Sequence, residues 1–186
     1  MPDSELDPDK VRTELQYLLA SAGAEGLMQA REQLLAWSKA SNPALRGAGR
    51  AWSAAFGAML MIVREADADI PKLLGQIEAL SRAGEESWLA FVEEQAKEAM
   101  GIGGMSMVGL RASKTVTPSI DPAAANLLQE LINTCALGRK ALRQNDPALS
   151  QEFARRMTAV ETRGQELGLI PSEEEEASED GPPAGP

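Results

Sequence analysis

The sequence predicts an all-α fold, a single bundle-like domain of five to seven helices with a Gly/Met-rich connector and a disordered acidic C-terminal tail. Three observations predict it. Apolar residues recur at spacings of three, four and seven through most of the chain, which is the period of one helix face. Asp7-Pro8, Asn42-Pro43, Asp121-Pro122 and Asp146-Pro147 punctuate these runs. Such pairs open helices, because the Asp or Asn oxygen accepts from free amides and proline tolerates the first helical position. The joints between runs are short, as antiparallel helical neighbours require.

The first helix starts at Asp7-Pro8, with Val11, Leu15, Leu18, Leu19 and Ala22 as its apolar stripe and Gly23 as its stop. A second helix, about 24–40, carries Leu27, Met28, Leu34, Leu35 and Trp37. The segment 43–63 is the central helix. Leu45, Trp52, Phe56, Met59, Leu60 and Val63 make a bulky ridge, and Gly47, Ala51, Ala54, Ala55 and Ala58 make a small one. Two apolar faces imply enclosure on both sides. Its charge-free run, 51–63, is too short for a membrane span, which needs about 18 apolar residues or more.

Asp69 caps the next helical region, and the Asp67/Asp69 pair reads as a capping turn rather than a metal site. Residues 72–100 form one long helix or two, since Gly84 lies between two stripes and favours a bend. Glu85, Glu86, Glu93, Glu94 and Glu98 read as its solvated face. Glycines 101, 103, 104 and 109 break the helical pattern, and no phosphate-cradling motif accompanies them. A helical hairpin follows over 121–170. Leu127, Leu128, Leu131, Ile132, Cys135 and Leu142 point inward from one arm, and Leu149, Phe153, Met157, Val160 and Leu167 from the other. The organisation expected is therefore an acidic N-terminus (1–6), a helical core (7–100), a connector (101–120), a hairpin packed on that core (121–170) and an acidic tail (171–186). The tail lacks the apolar content needed to offset its ordering entropy.

Charge narrows the function classes. The formal net charge is −10, but four acids precede Lys10 and six lie between Glu173 and Asp180. Without those ten, acids and bases balance at 18 each. Histidine is absent, which excludes Ser–His and Cys–His nucleophilic sites and ordinary haem, zinc and copper centres. The single cysteine, Cys135, excludes an internal disulfide and suits an intracellular, cytoplasmic setting. No catalytic, metal or cofactor residue is nominated, and the chain is not expected to be an enzyme.

The function expected is a helical interaction or structural protein, self-associating or binding another protein through apolar helix faces. Its candidate contact residues are Trp37, Trp88, Met100, Met105 and Met107, aromatic anchors and adaptable thioethers. The alternative is nucleic-acid binding, nucleocapsid-like or RNA-binding, through Arg139, Lys140, Arg143, Arg155, Arg156 and Arg163 of the hairpin. Converged on one surface, these six cations would contact a phosphate backbone.

Overall fold

A computed structural model describes residues 7–101 and 120–170, and among these every regular element is an α-helix. The elements are α1 (Pro8–Ser21), α2 (Gly23–Ser38), α3 (Pro43–Arg64), α4 (Ile70–Ala99), α5 (Pro122–Gln144) and α6 (Pro147–Glu166). The expectations for the acidic ends, and for the connector from 102 to 119 with Met105 and Met107, lie outside the described residues.

Caps set the helix starts. Asp7 accepts from the Asp9 amide at 3.1 Å, and Asn42 Oδ1 from Ala44 and Leu45 at 2.8 and 3.1 Å. Asp69 Oδ1 accepts from Lys72 at 3.2 Å, and Asp146 Oδ1 from Ala148 and Leu149 at 2.8 and 3.3 Å. Asp121 differs: α5 starts after it with Pro122 in its first turn, but its carboxylate makes no capping bond. Residues with positive φ stand at four helix ends among the described residues, Gly23 (68°) between α1 and α2, Gly101 (71°) after α4, Asn145 (50°) between α5 and α6, and Gly168 (65°) after α6. No break occurs at Gly84, and α4 runs as one helix of 30 residues.

By its contacts the chain divides into two compact units, Met1–Phe91 and Val92–Pro186. In the first, Ala48, Ala55, Ala58 and Ile62 form the buried line of α3, and Ile70 and Leu89 of α4 are buried as well. Small side chains on that line demand close neighbours. A Cβ on Gly49 would overlap the backbone of Trp37 and Ser38, so α2 ends in backbone contact with α3. A Cβ on Gly84 would overlap the Trp52 indole. This is what Gly84 does in α4: it makes room for a ring rather than breaking the helix. Trp37 stacks on Trp88 with centroids 5.0 Å apart, and Trp52 lies 5.7 and 6.2 Å from the two. Aromatic pairs at such distances add about 0.5–1.5 kcal/mol beyond area burial.

Arg12 of α1 fastens the far end of α3. Its guanidinium donates to the carbonyls of Ile62, Glu65 and Ala66 at 3.0, 2.9 and 3.1 Å. The helix C-terminus thereby finds donors for carbonyls that lack intrahelical partners. The apolar stripes expected on α1 and α2 are only partly covered. Val11, Leu15, Leu19, Leu27 and Leu34 are half-buried, whereas Leu18, Met28 and Leu35 are exposed.

The second unit holds the α5–α6 hairpin and the end of α4. Ala96, Leu127, Ile132, Cys135, Ala141 and Val160 are its buried apolar residues. Thr134 is buried too, its hydroxyl donating to the Glu130 carbonyl at 2.8 Å. Burial, and secondarily the charge of Glu93, raises the Cys135 thiol to about 11, so it stays protonated near neutral pH.

Glycine substitutions test the close approaches. Gly49→Ala should destabilise the protein by about 2–3 kcal/mol in urea unfolding followed by tryptophan fluorescence, because backbone cannot give way. Gly84→Ala should cost less, about 1–2 kcal/mol, since gained helix propensity offsets part of the indole displacement. Gly75→Ala, where a Cβ meets nothing within 4 Å, should stabilise by roughly 0.5–1 kcal/mol. A Gly49→Ala variant as stable as Gly75→Ala would refute the contact.

Candidate interaction face on helix α3

Away from its buried line, α3 has an open stripe. Arg50, Ala54, Gly57, Met61 and Arg64 are all exposed, and their spacing of four, three, four and three puts them on one stripe. The two ridges expected to be enclosed are buried or half-buried except at Ala54, and the bare stripe runs beside them.

A cleft lies on each side of the bare stripe. Between α3 and α4, a cleft of about 680 Å³ is lined by Ala54, Gly57, Met61, Leu73, Ala79 and Leu80, among others. Between α2 and α3, one of about 450 Å³ is lined by Leu34, Leu35, Phe56, Gly57 and Leu60, with Arg31 and Arg64 in its wall. Gly57 belongs to both, and a Cβ there would meet nothing within 4 Å. Ser53, also in the second wall, has a buried hydroxyl with no hydrogen-bond partner. The whole is a low ridge of small residues between two apolar troughs.

Charge also bears on this face. Arg12, Arg82, Arg139, Arg155 and Arg156 each pair with a carboxylate. Arg31, Arg50 and Arg64 pair with none among the described residues. Three unmatched guanidiniums therefore surround an apolar surface.

The residues nominated from sequence fall elsewhere. Trp37 and Trp88 are half-buried, their rings turned to each other and to Trp52, with Phe91 beside Trp88 at 5.4 Å. They pack helices of the first unit against one another. Met100 is half-buried just after α4. Arg139, Lys140 and Arg143 share a cleft of about 360 Å³ with Glu93. Arg155 and Arg156 line a different one, about 340 Å³, with Glu130, Asn133 and Thr134. Arg163 lines neither cleft.

Their charges are also partly spent. Arg139 donates to Glu93 Oε2 at 2.9 Å, and Lys97 binds the other oxygen. Arg155 and Arg156 both donate to Glu152, at 2.9 and 2.6 Å, and these bonds hold its carboxyl down to about 2. Glu93 corrects the reading of α4's acids as a uniformly solvated face, because it is only 8 % exposed. It sits at the core spacing of Leu89 and Ala96, a signal that was present in the sequence. Among the described residues no group of three His, Cys, Asp or Glu could hold a metal ion. No helix among them is long and apolar enough to cross a membrane. Compared with known protein families, curated proteins and solved structures, the chain matches none.

Glu93 yields a pH prediction. Burial opposes its charge, but the hydrogen bonds from Lys97 and Arg139 outweigh burial and lower its pKa below the ordinary 4.5. A carboxyl lowered on folding contributes stability above its unfolded pKa and loses it as pH falls through its folded one. Glu93→Gln should therefore cost about 1–3 kcal/mol at neutral pH and flatten the loss of stability below pH 4.5, measured by urea titrations across acid pH. An acid limb unchanged by the substitution would count against the pairing.

Proposed function

We propose that this chain is a non-enzymatic helical interaction protein that receives a helix on the open face of α3. The observation that carries the reading is the pair of apolar troughs meeting at Gly57. A helix laid into such a surface would cover Leu35 and Met61, which are 43 % and 44 % exposed, and Gly57 would let its backbone approach closely. Helix-in-groove recognition works in this way, through apolar anchors on one stripe of the incoming helix. A second copy of the chain or another protein could supply that helix.

Nucleic-acid binding by the hairpin receives less support. Carboxylates already occupy Arg139, Arg155 and Arg156, and a phosphate backbone would have to displace them.

Gly57→Gln tests the reading cleanly. The new side chain enters open space, so helix propensity should raise stability by roughly 0.5–1 kcal/mol. The same side chain should block docking and weaken association about tenfold or more. Sedimentation equilibrium reports self-association, and fluorescence anisotropy with synthetic amphipathic helices reports binding of a foreign segment. A variant that associates as well as the parent in both measurements overturns the proposal.

A further inference from the structure

Two arginines end the bare stripe of α3, and they point to what it receives. We infer that the face takes an acidic amphipathic helix from a different protein, apolar at its centre and carrying carboxylates toward both ends. This rests on the reading of the face as a helix-receiving surface and adds the chemistry of the partner.

Spacing comes first. Arg50 and Arg64 are fourteen residues apart on one helix, which places them about 21 Å apart along the axis, roughly four turns. Between them lie only Ala54, Gly57 and Met61 on the exposed stripe. An incoming helix of similar length meets a cation near each end and apolar surface between. Arg31 adds a third positive group on the far wall of the α2–α3 cleft, beside Leu34 and Leu35. None of the three has a carboxylate partner among the described residues, whereas Arg12, Arg82, Arg139, Arg155 and Arg156 each have one.

The same charges disfavour a second copy. A two-fold contact sets a surface against itself. Two parallel α3 helices would bring Arg50 to Arg50 and Arg64 to Arg64; antiparallel helices would bring Arg50 to Arg64. Both arrangements oppose like charges where carboxylates are wanted, which costs affinity. The chain's own tail is acidic but has no hydrophobic residue larger than alanine from Pro171 to Pro186 other than its prolines. It cannot fill the troughs. A nucleic-acid backbone would answer the arginines but leave Met61, Leu35 and Leu60 uncovered.

The test uses the full chain and two labelled synthetic helices of about five turns. Both carry leucines on one stripe; one has glutamates at both ends, the other lysines. Wild type should bind the glutamate peptide at least about tenfold more tightly than its lysine twin, with the preference shrinking as salt rises. The double variant Arg50→Glu, Arg64→Glu should reverse the preference, and Gly57→Gln should weaken both peptides, with helix content by circular dichroism unchanged. Equal binding of the two peptides overturns the charge assignment but leaves the helix-receiving face standing. Binding insensitive to Gly57→Gln overturns both. A wild-type protein that binds neither peptide, or a dimer that Gly57→Gln dissolves, overturns this inference.

Discussion

How closely α2 and α4 can approach α3 governs the whole first unit. The buried line of α3 is alanine, glycine and one isoleucine, so it offers little area of its own. Stability must come from neighbours near enough for many weak contacts, since dispersion falls off within an ångström of optimal separation. Gly49 admits the backbone of Trp37 and Ser38, and Gly84 admits the Trp52 ring. Trp37, Trp52 and Trp88 then supply the bulk that the buried line of α3 lacks. Two absent side chains and three large rings are parts of one arrangement. Beside these packed surfaces one stripe of α3 stays bare.

Charge is distributed with a similar economy. Arg12 is fixed by α3 carbonyls, and Glu93 by Arg139 and Lys97. A partly buried guanidinium or carboxylate without partners is expensive, so these groups are matched inside the fold. Exposed cations are cheaper to leave alone, because solvent screens them. The unmatched arginines around α3 are therefore no defect of the fold. They matter because they border apolar surface, where an arriving partner would strip away some of that screening and make opposite charge count for more.

Much of the fold was legible because its signals are local. Asn42-Pro43 and Asp146-Pro147 fix helix starts within a few residues, and the stripes on α5 and α6 select the buried face of the hairpin, with Leu127, Ile132, Cys135 and Val160 inside. What escaped depends on residues far apart in sequence. Arg12 meets carbonyls some fifty residues on, and no pattern around Arg12 announces them. Glu93 looked like its acidic neighbours because its counter-ion Arg139 lies on another helix. Gly84 carries one composition whether it bends a helix or houses a ring; only the position of Trp52 decides. The candidate face was half legible. Ala54 stood out among the small residues and Gly57 did not, and periodicity cannot count how many neighbours a helix will have, which decides whether such residues are core or surface.

Gly57 shows where fold and function part company. Glycine within a helix costs up to about 1 kcal/mol against alanine. At Gly49 and Gly84 the packing explains the cost, because a methyl group would collide. At Gly57 it does not, since that space is open. Gly75 is open too, so vacancy alone argues nothing. What distinguishes Gly57 is its company: it lines both apolar troughs, and its stripe ends in Arg50 and Arg64. A residue that helps neither its helix nor its core, placed where two hydrophobic surfaces meet between unmatched charges, is the position that the proposed docking of a helix would use.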